Sequence, residues 1–245
     1  MTAPHPTRVF VAGDSTAALY DLPRHPQTGW GQALQAFAAP GVEVVDRAIP
    51  GRSTKSFMDQ GALDAIRRDI GPGDWLLISF GHNDQKTDDP SRYTDPRSTY
   101  LENLRSFIEA ATANGATPVL VTSVERRRFR DGRAQESLGE YPAAMLALAE
   151  KEGVHAVDLH ALSIALWDSL GETLTKDCFM WIEPGHPNYP DGLQDDTHFR
   201  PAGAIAVARL VATALTQQRI TPDLWTGLHR EVDEAELVWV ERQDW

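Results

Sequence analysis

Five short apolar runs, separated by segments with helical periodicity, constrain what this chain can fold into. The runs are rich in Val, Ile and Leu, and most of them end at a Gly, Ser or Asp. They are continuously apolar rather than alternating, which is typical of strands in a parallel sheet covered on both faces. The predicted strands are Arg8–Ala12, Val42–Ala48, Trp75–Phe80, Pro118–Ser123 and His155–Leu159.

The segments between these runs predict helices. In the third of them, apolar side chains recur on one helical face, and the Asn-Gly pair that ends at Gly115 is a helix stop. Pro201 suits the first turn of the last helix. The predicted helices are Gly31–Ala38, Ala62–Asp69, Arg97–Asn114, Pro142–Glu152 and Pro201–Gln217. Alternating strands and helices predict an α/β fold, a three-layer αβα sandwich around a five-stranded parallel sheet.

Two long connections lack clear periodicity and are predicted to be loops. Gln85–Pro96 is polar, with two prolines and several aspartates, and Phe179–Phe199 is rich in Pro, Gly and aromatic residues. Long loops in a compact domain are often functional.

The length of 245 residues predicts a single domain over residues 1–245, with residues 1–7 as an N-terminal tail. Residues 219–245 carry Trp225, Trp239 and Trp245 together with several Leu and Val side chains. This apolar content predicts a packed C-terminal extension rather than a linker.

The charge and cysteine content exclude some classes of function. A formal net charge of −12 argues against general binding to nucleic acid or to anionic membranes. No apolar run reaches the roughly 20 residues of a membrane helix, and the first residues show no signal-peptide pattern. The single cysteine, Cys178, permits no internal disulfide, which agrees with a reducing compartment. Together these features predict a cytoplasmic protein.

Polar groups suited to catalysis follow three of the predicted strands. Ser15 comes after the first strand, Gly51 after the second and Asn83 after the third. Ligand sites in open parallel sheets lie beyond the carboxyl ends of the strands, so these residues should converge. With Asp195 and His198, they provide a hydroxyl nucleophile, a base with a carboxylate nearby, and donors for an oxyanion. This is the set required for acyl transfer through a serine ester.

Each of these residues also has a structural interpretation. Asp14-Ser15-Thr16 is a pattern that caps helices, and Ser15 is expected at a turn that leads into a helix N-terminus. Gly51 suits a Pro-Gly turn, and Asn83 suits an Asx-turn. The presence of all the groups in one chain favours the catalytic interpretation.

The motifs are Gly13-Asp14-Ser15-Thr16, Ile49-Pro50-Gly51, Gly81-His82-Asn83-Asp84 and Asp195-Asp196-Thr197-His198. In this order, and over residues 8 to 215, the chain resembles the SGNH (GDSL-type) hydrolases, which have a flavodoxin-like sheet. Within them it resembles the rhamnogalacturonan acetylesterase-like carbohydrate esterases. The resemblance implies that Ser15 is the nucleophile, that His198 is the base, and that Asp195 rather than Asp196 is the triad acid. It also implies an oxyanion hole formed by the Ser15 and Gly51 N–H groups and the Asn83 side chain.

The resemblance implies removal of acetyl groups from plant cell-wall oligosaccharides, with rhamnogalacturonan fragments favoured. An acetylxylan esterase and a lipid esterase or thioesterase of the same superfamily are the alternative enzymes. The non-enzymatic alternative is an inactive carbohydrate-binding module, which would not need a complete acyl-transfer set.

A metal site deserves consideration, because Asp191, Asp196 and His186 stand near Asp195 and His198 in the sequence. The chain has no His-Glu-x-x-His motif, no paired cysteines and no EF-hand loop. It also has no P-loop and no Gly-x-Gly-x-x-Gly motif. The sequence therefore predicts neither a metal nor a cofactor.

Two sets of residues are candidates for substrate contact. Arg126 and Arg128 belong to the basic cluster at residues 126–130, which either binds the carboxylates of a galacturonate-containing oligosaccharide or forms a solvated loop paired with nearby acids. Trp181 and Tyr189, in the second long loop, either stack on sugar rings or pack in the core.

Overall fold

The computed structural model of the protein describes residues 6–241. The strands in chain order are β1 (Thr7–Gly13), β2 (Val42–Asp46), β3 (Trp75–Ser79), β4 (Thr117–Val121), β5 (Phe129–Arg130), β6 (Arg133–Ala134), β7 (His155–Val157), β8 (Phe179–Ile182) and β9 (Leu193–Phe199). The α-helices are α1 (Trp30–Leu34), α2 (Thr54–Asp59), α3 (Ala62–Asp69), α4 (Thr99–Thr112), α5 (Tyr141–Glu152), α6 (Leu159–Leu174) and α7 (Pro201–Gln217).

The central sheet has five parallel strands in the order β2-β1-β3-β4-β7. This is the flavodoxin-like order, and the direction of winding reverses between β1 and β3. The predicted fold class is therefore confirmed. The reversal leaves a crevice beyond the carboxyl ends of β1 and β3, where Ser15 and Asn83 follow their strands.

Alternate residues of the strands supply two separate cores. On one face, Val9, Val11 and Leu77 pack in a cluster with side chains of α1, α6 and α7. On the other face, Phe10 and Ile78 pack with side chains of α3, α4 and α5. Because the inner strands β1, β3 and β4 are buried on both faces over most of their length, their sequences are mainly apolar.

Some predicted elements differ from the structure. The predicted strand His155–Leu159 ends at Val157, and Leu159 instead begins α6, which was not predicted and which is kinked at Gly171 before it ends at Leu174. The Asp158 side chain caps this helix by accepting from the N–H of Ala161. The short helix α2, which follows Gly51, was also not predicted.

The prediction that Phe179–Phe199 is a loop was wrong at both ends. β8 and β9 pair there as an antiparallel hairpin, and only the segment between them lacks strand structure. The sequence of β9 is mostly polar, so it lacks the alternation of apolar residues that would predict a strand. The strand is formed by pairing with β8, which lies more than ten residues away.

The C-terminal residues 219–241 pack along α1 and the segment before it. The Thr226 N–H donates to the Phe37 carbonyl at 2.8 Å, and the Leu22 N–H donates to the Val240 carbonyl at 3.0 Å. Trp225 is buried in the core. These contacts support the predicted packed extension; Trp245 and residues 1–5 lie outside the described residues.

Across residues 6–241, no helix combines the length and the apolar character needed to cross a membrane. Cys178 is buried, and burial raises the pKa of its thiol to about 11. At neutral pH this side chain is therefore a protonated thiol rather than a nucleophilic thiolate.

Candidate active site

Ser15 lies on a tight turn immediately after β1. The Asp14 carboxylate accepts from the N–H and the hydroxyl of Thr16, both at 2.9 Å, and the Tyr20 hydroxyl donates to the Ser15 carbonyl at 2.8 Å. No α-helix begins here, so the expected helix N-terminus at Ser15 was wrong. α1 begins only at Trp30, whose N–H donates back to the Thr16 carbonyl at 2.9 Å.

A bulge in β9 brings Asp195 and His198 together. In a regular strand, residues three apart face opposite sides of the sheet. Here Phe179 pairs with Phe199, but the next residue of β8, Met180, pairs with Asp195, so residues 196–198 bulge out of the ladder. The bulge turns the His198 ring back over the Asp195 carboxylate.

Ser15, His198 and Asp195 form a continuous hydrogen-bonded chain. His198 Nδ1 lies 2.7 Å from Asp195 Oδ2, and His198 Nε2 lies 2.9 Å from Ser15 Oγ. A proton on Nδ1 donates to the carboxylate and leaves the Nε2 lone pair facing the Ser15 hydroxyl. This arrangement can accept the Ser15 proton as the oxygen attacks a carbonyl.

The electrostatics of Asp195 keep it ionised. Burial acts to raise the pKa of its carboxyl, but the hydrogen bond and charge of His198 act against it, as do the N–H groups of Thr197 and His198. The resulting pKa lies below the ordinary value for aspartate. An ionised Asp195 can hold the imidazole in one tautomer and stabilise its protonated form.

Gly51 and Asn83 lie in the same cleft as Ser15. Gly51 has a φ of +74°, a conformation that favours glycine, and it exposes the backbone to the cleft. Asn83 is buried, and its Nδ2 donates to the Arg52 carbonyl at 3.0 Å. Because an amide NH₂ carries two donors, this contact orients Asn83 and leaves a second N–H for an oxyanion.

His82 supports the turn beneath Ser15. Its Nδ1 lies 3.3 Å from Asp14 Oδ2, and both side chains are buried. Burial acts to raise the pKa of Asp14, but the charge and hydrogen bond of His82 and the two Thr16 donors lower it below the ordinary value. His82 therefore helps to keep the carboxylate that shapes the Ser15 turn ionised.

The cleft over Ser15 has a volume of about 540 Å³. It brings together every residue predicted for the triad and the oxyanion hole. The residues that line it are Ser15, Tyr20, Arg24, Gln27, Pro50, Gly51, His82, Asn83, Lys86, Arg126, Asp195, Thr197 and His198.

The predicted substrate contacts divide between this cleft and other surfaces. Arg126 lines the cleft, whereas Arg128 is exposed and lies outside it. Trp181 lies beside a separate depression of about 410 Å³ on the β8–β9 hairpin, with Arg127 over its ring. Tyr189 does not line the cleft, but its hydroxyl donates to the carbonyl of Arg24, at the cleft rim, at 2.9 Å.

Asp196 faces away from His198. Its carboxylate accepts from Arg127 Nη1 at 3.0 Å and from Trp181 Nε1 at 2.8 Å. Among residues 6–241, no three His, Cys, Asp or Glu side chains converge in a way that could hold a metal ion. Of the two aspartates, Asp195 is therefore the one whose position fits the predicted partner of His198.

Several cleft residues were missed by the sequence analysis. Lys86 follows Asn83 by three residues in a predicted loop, and Tyr20 and Arg24 lie in the irregular stretch after Ser15. Their closeness in sequence to predicted site residues was the only available signal, and it does not show which way a loop side chain points.

A sequence model of the GDSL-like lipase/acylhydrolase family matches residues 11–205, a range that contains Ser15, Gly51, Asn83, Asp195 and His198. The chain belongs to this family. The predicted resemblance to GDSL-type hydrolases is thereby confirmed, and the chain is a carboxylic ester hydrolase.

Two proteins of Bacillus subtilis (strain 168) are similar to this GDSL-type hydrolase over most of its length. The rhamnogalacturonan acetylesterase RhgT is 47% identical over 216 residues, covering 86% of this chain and 90% of that protein. The probable rhamnogalacturonan acetylesterase YesY is 37% identical over 209 residues, covering 85% and 92%. The crystal structure of YxiM, also from Bacillus subtilis, is similar with a TM-score of 0.73 and 30% identity, covering 88% of this chain and 57% of that one.

Proposed function

We propose that this GDSL-type hydrolase removes acetyl groups from plant cell-wall oligosaccharides, rhamnogalacturonan fragments in particular, through an acyl-enzyme on Ser15. The observation that carries the proposal is the chain of hydrogen bonds from Ser15 Oγ to His198 and from His198 to Asp195, at 2.9 and 2.7 Å. The substrate is supported by the 47% identity to RhgT, a protein named as a rhamnogalacturonan acetylesterase.

In the first half of the reaction, His198 Nε2 takes the Ser15 proton while Oγ attacks the acetyl carbonyl carbon. The Ser15 and Gly51 N–H groups and the free Asn83 N–H donate to the oxyanion that forms. His198 then gives its proton to the sugar oxygen, the carbon–oxygen bond breaks, and the sugar alcohol leaves with the acetyl group retained on Ser15.

In the second half, His198 takes a proton from a water molecule, and the resulting hydroxide attacks the acetyl-serine ester. The same donors stabilise the second oxyanion. His198 returns the proton to Ser15 Oγ as the ester bond breaks, which releases acetate. Throughout, the Asp195 carboxylate stabilises the imidazolium without taking up the proton.

The test is mass spectrometry of acetylated rhamnogalacturonan oligosaccharides after incubation with the protein, beside acetylated xylo-oligosaccharides. We expect a loss of acetyl mass mainly from the rhamnogalacturonan fragments, and Ser15→Ala should abolish it while leaving the protein folded. A serine-directed organophosphonate should label Ser15 alone. Preferential deacetylation of the xylo-oligosaccharides would favour an acetylxylan esterase, and binding of either sugar without turnover would indicate an inactive carbohydrate-binding module.

The remaining features fit an enzyme of soluble oligosaccharides. We propose a single catalytic domain, with residues 219–245 as its packed extension, acting without nucleic acid or membrane partners. A cytoplasmic location is supported by the lone, buried Cys178, and it implies that the substrates are imported oligosaccharides rather than polymer. Measuring activity in fractionated cells tests the location, and recovery in the culture medium would contradict it.

A further inference from the structure

The cleft over Ser15 is lined by cationic side chains, Lys86 and Arg126, that form no ion pair within residues 6–241. The chain carries a net charge of −12, and nine arginines within residues 6–241 are paired with carboxylates. The carboxylate that lines the cleft, that of Asp195, is occupied by His198.

Neutral groups hold the Arg126 guanidinium in place. Nη1 donates to the Ser137 hydroxyl at 2.9 Å. The Gln85 amide is assigned with its oxygen towards Arg126, where it accepts from Nη1 at 2.8 Å and from Nη2 at 3.0 Å. These partners orient the guanidinium without cancelling its charge.

The adjacent Glu125 forms no ion pair with the Arg126 guanidinium within residues 6–241, although its charge favours the protonated guanidinium. Its carboxylate accepts from the Arg126 backbone N–H, from the backbone N–H and hydroxyl of Ser137, and contacts His160 Nε2 at 3.1 Å. These contacts fix the loop that presents Arg126 to the cleft, so the position of the guanidinium is set before any ligand binds.

Lys86 lies three residues after Asn83, and the Lys86 backbone N–H donates to the Asn83 carbonyl at 3.3 Å. Within residues 6–241 its ammonium makes neither a hydrogen bond nor an ion pair. Burial and the neighbouring charges of Arg92 and Arg126 lower the pKa of this ammonium, although the charges of Asp88 and Asp89 act in the opposite direction. Lys86 and Arg126 lie close enough for their positive charges to act on each other, and a bound anion would relieve this repulsion.

We propose that Lys86 and Arg126 form a subsite for the carboxylate of a uronate residue in the substrate, so that the cleft favours acidic acetylated oligosaccharides over neutral ones. The inference rests on the proposed function, because it concerns the same cleft and the same acetylated substrate. A planar guanidinium suits a carboxylate, and the ammonium supplies a second, point-like positive charge. Arg128, which shares the basic cluster but is exposed outside the cleft, has no part in this subsite.

The test uses two substrates that differ in one charge: an acetylated rhamnogalacturonan oligosaccharide with a single galacturonate residue, and the same oligosaccharide with that carboxylate methyl-esterified. The measured quantity is the ratio of their KM values. In the wild type we expect KM for the free acid to be lower by about tenfold, as one charge-assisted contact implies. In Lys86→Met and in Arg126→Gln, we expect the ratio to fall towards one.

Arg128→Gln is the matched control. It removes the same charge from the same segment, two residues beyond Arg126, and it should keep the wild-type ratio. If Arg126→Gln disturbs its loop, Lys86→Met still tests the subsite, because it removes the other cation and leaves Arg126 in place. Added salt should weaken only the free acid in the wild type.

Two results would overturn the subsite. One is a KM ratio that does not change in either cleft variant. The other is a KM ratio that falls as far in Arg128→Gln as in the cleft variants, which would indicate a diffuse electrostatic effect rather than a subsite. In both cases the wild type still deacetylates the oligosaccharides, so the proposed function stands. A wild type that deacetylates neither substrate overturns the proposed function, and the subsite with it.

Discussion

Asp84 joins the two parts of the cleft that are expected to carry the oxyanion donors. Its side chain is fully buried, and it accepts from the Thr54 hydroxyl at 2.5 Å, the Thr54 N–H at 3.1 Å and the Thr94 hydroxyl at 2.9 Å. Thr54 begins the helix that follows Gly51, and Asp84 follows Asn83 directly. Replacing this carboxyl therefore tests both the stability and the geometry of the site.

Burial raises the pKa of Asp84 to about 7, although the Thr54 and Thr94 donors oppose the rise. Between pH 3.8, the ordinary pKa of this carboxyl, and about pH 7, Asp84 is ionised in the unfolded chain but still protonated in the folded protein. The unfolded state then binds fewer protons, so the free energy of unfolding falls as the pH rises through this interval. At about 1.4 kcal/mol for each pH unit, the loss approaches roughly 4 kcal/mol when Asp84 is ionised.

Asp84→Asn removes the ionisation and keeps an oxygen that can accept from Thr54 and Thr94. We expect the free energy of unfolding of the variant, relative to that of the wild type, to increase by roughly 3 kcal/mol from about pH 5 to about pH 8. Urea denaturation followed by tryptophan fluorescence at several pH values in this range measures it. Subtracting the wild-type curve cancels the titration of every other group.

Asp88→Asn is the control, because Asp88 is exposed and lies four residues away. The difference between its free energy of unfolding and that of the wild type should not change with pH. Parallel curves for wild type and Asp84→Asn would refute the reasoning, since they would mean that the hydrogen bonds stabilise the ionised carboxylate enough to offset its burial.

Three further perturbations concern the chemistry. Asn83→Ala should lower kcat by roughly 10²–10³ with little change in KM, since an oxyanion contact is made mainly in the transition state; an unchanged kcat on an aryl acetate would reduce Asn83 to a turn residue. Asp195→Ala should lower kcat by roughly 10²–10⁴, whereas Asp196→Ala should lower the free energy of unfolding by about 1–2 kcal/mol, because Arg127 loses its carboxylate partner; the reverse pattern would make Asp196 the triad acid. Activity should persist in EDTA, and a loss in EDTA that a divalent ion restores would contradict the predicted absence of a metal.

The sequence alone determined the central sheet and the position of Ser15, the proposed nucleophile. The five strands and the helices α3, α4, α5 and α7 appear within a few residues of their predicted bounds, because a strand buried on both faces and a helix with one apolar face leave short-range periods in the sequence. Placing Ser15, Gly51 and Asn83 after successive strands was enough to predict their convergence, since parallel strands end at one edge of the sheet.

Tertiary structure decided the features whose causes are distant in sequence. The β8–β9 hairpin forms between segments more than ten residues apart, and its bulge turns His198 towards Asp195 and directs Asp196 to Arg127. Neither the pairing nor the bulge produces a local pattern.

The charge in the cleft was also decided by the tertiary structure. Arg126 and Arg128 are two residues apart and chemically identical, yet one lines the cleft and the other is exposed. The direction of Arg126 depends on contacts with Gln85 and Ser137, which meet it only after the chain has folded. Composition and spacing record which groups are present, whereas the direction of a side chain on an irregular loop is set by long-range packing and hydrogen bonds.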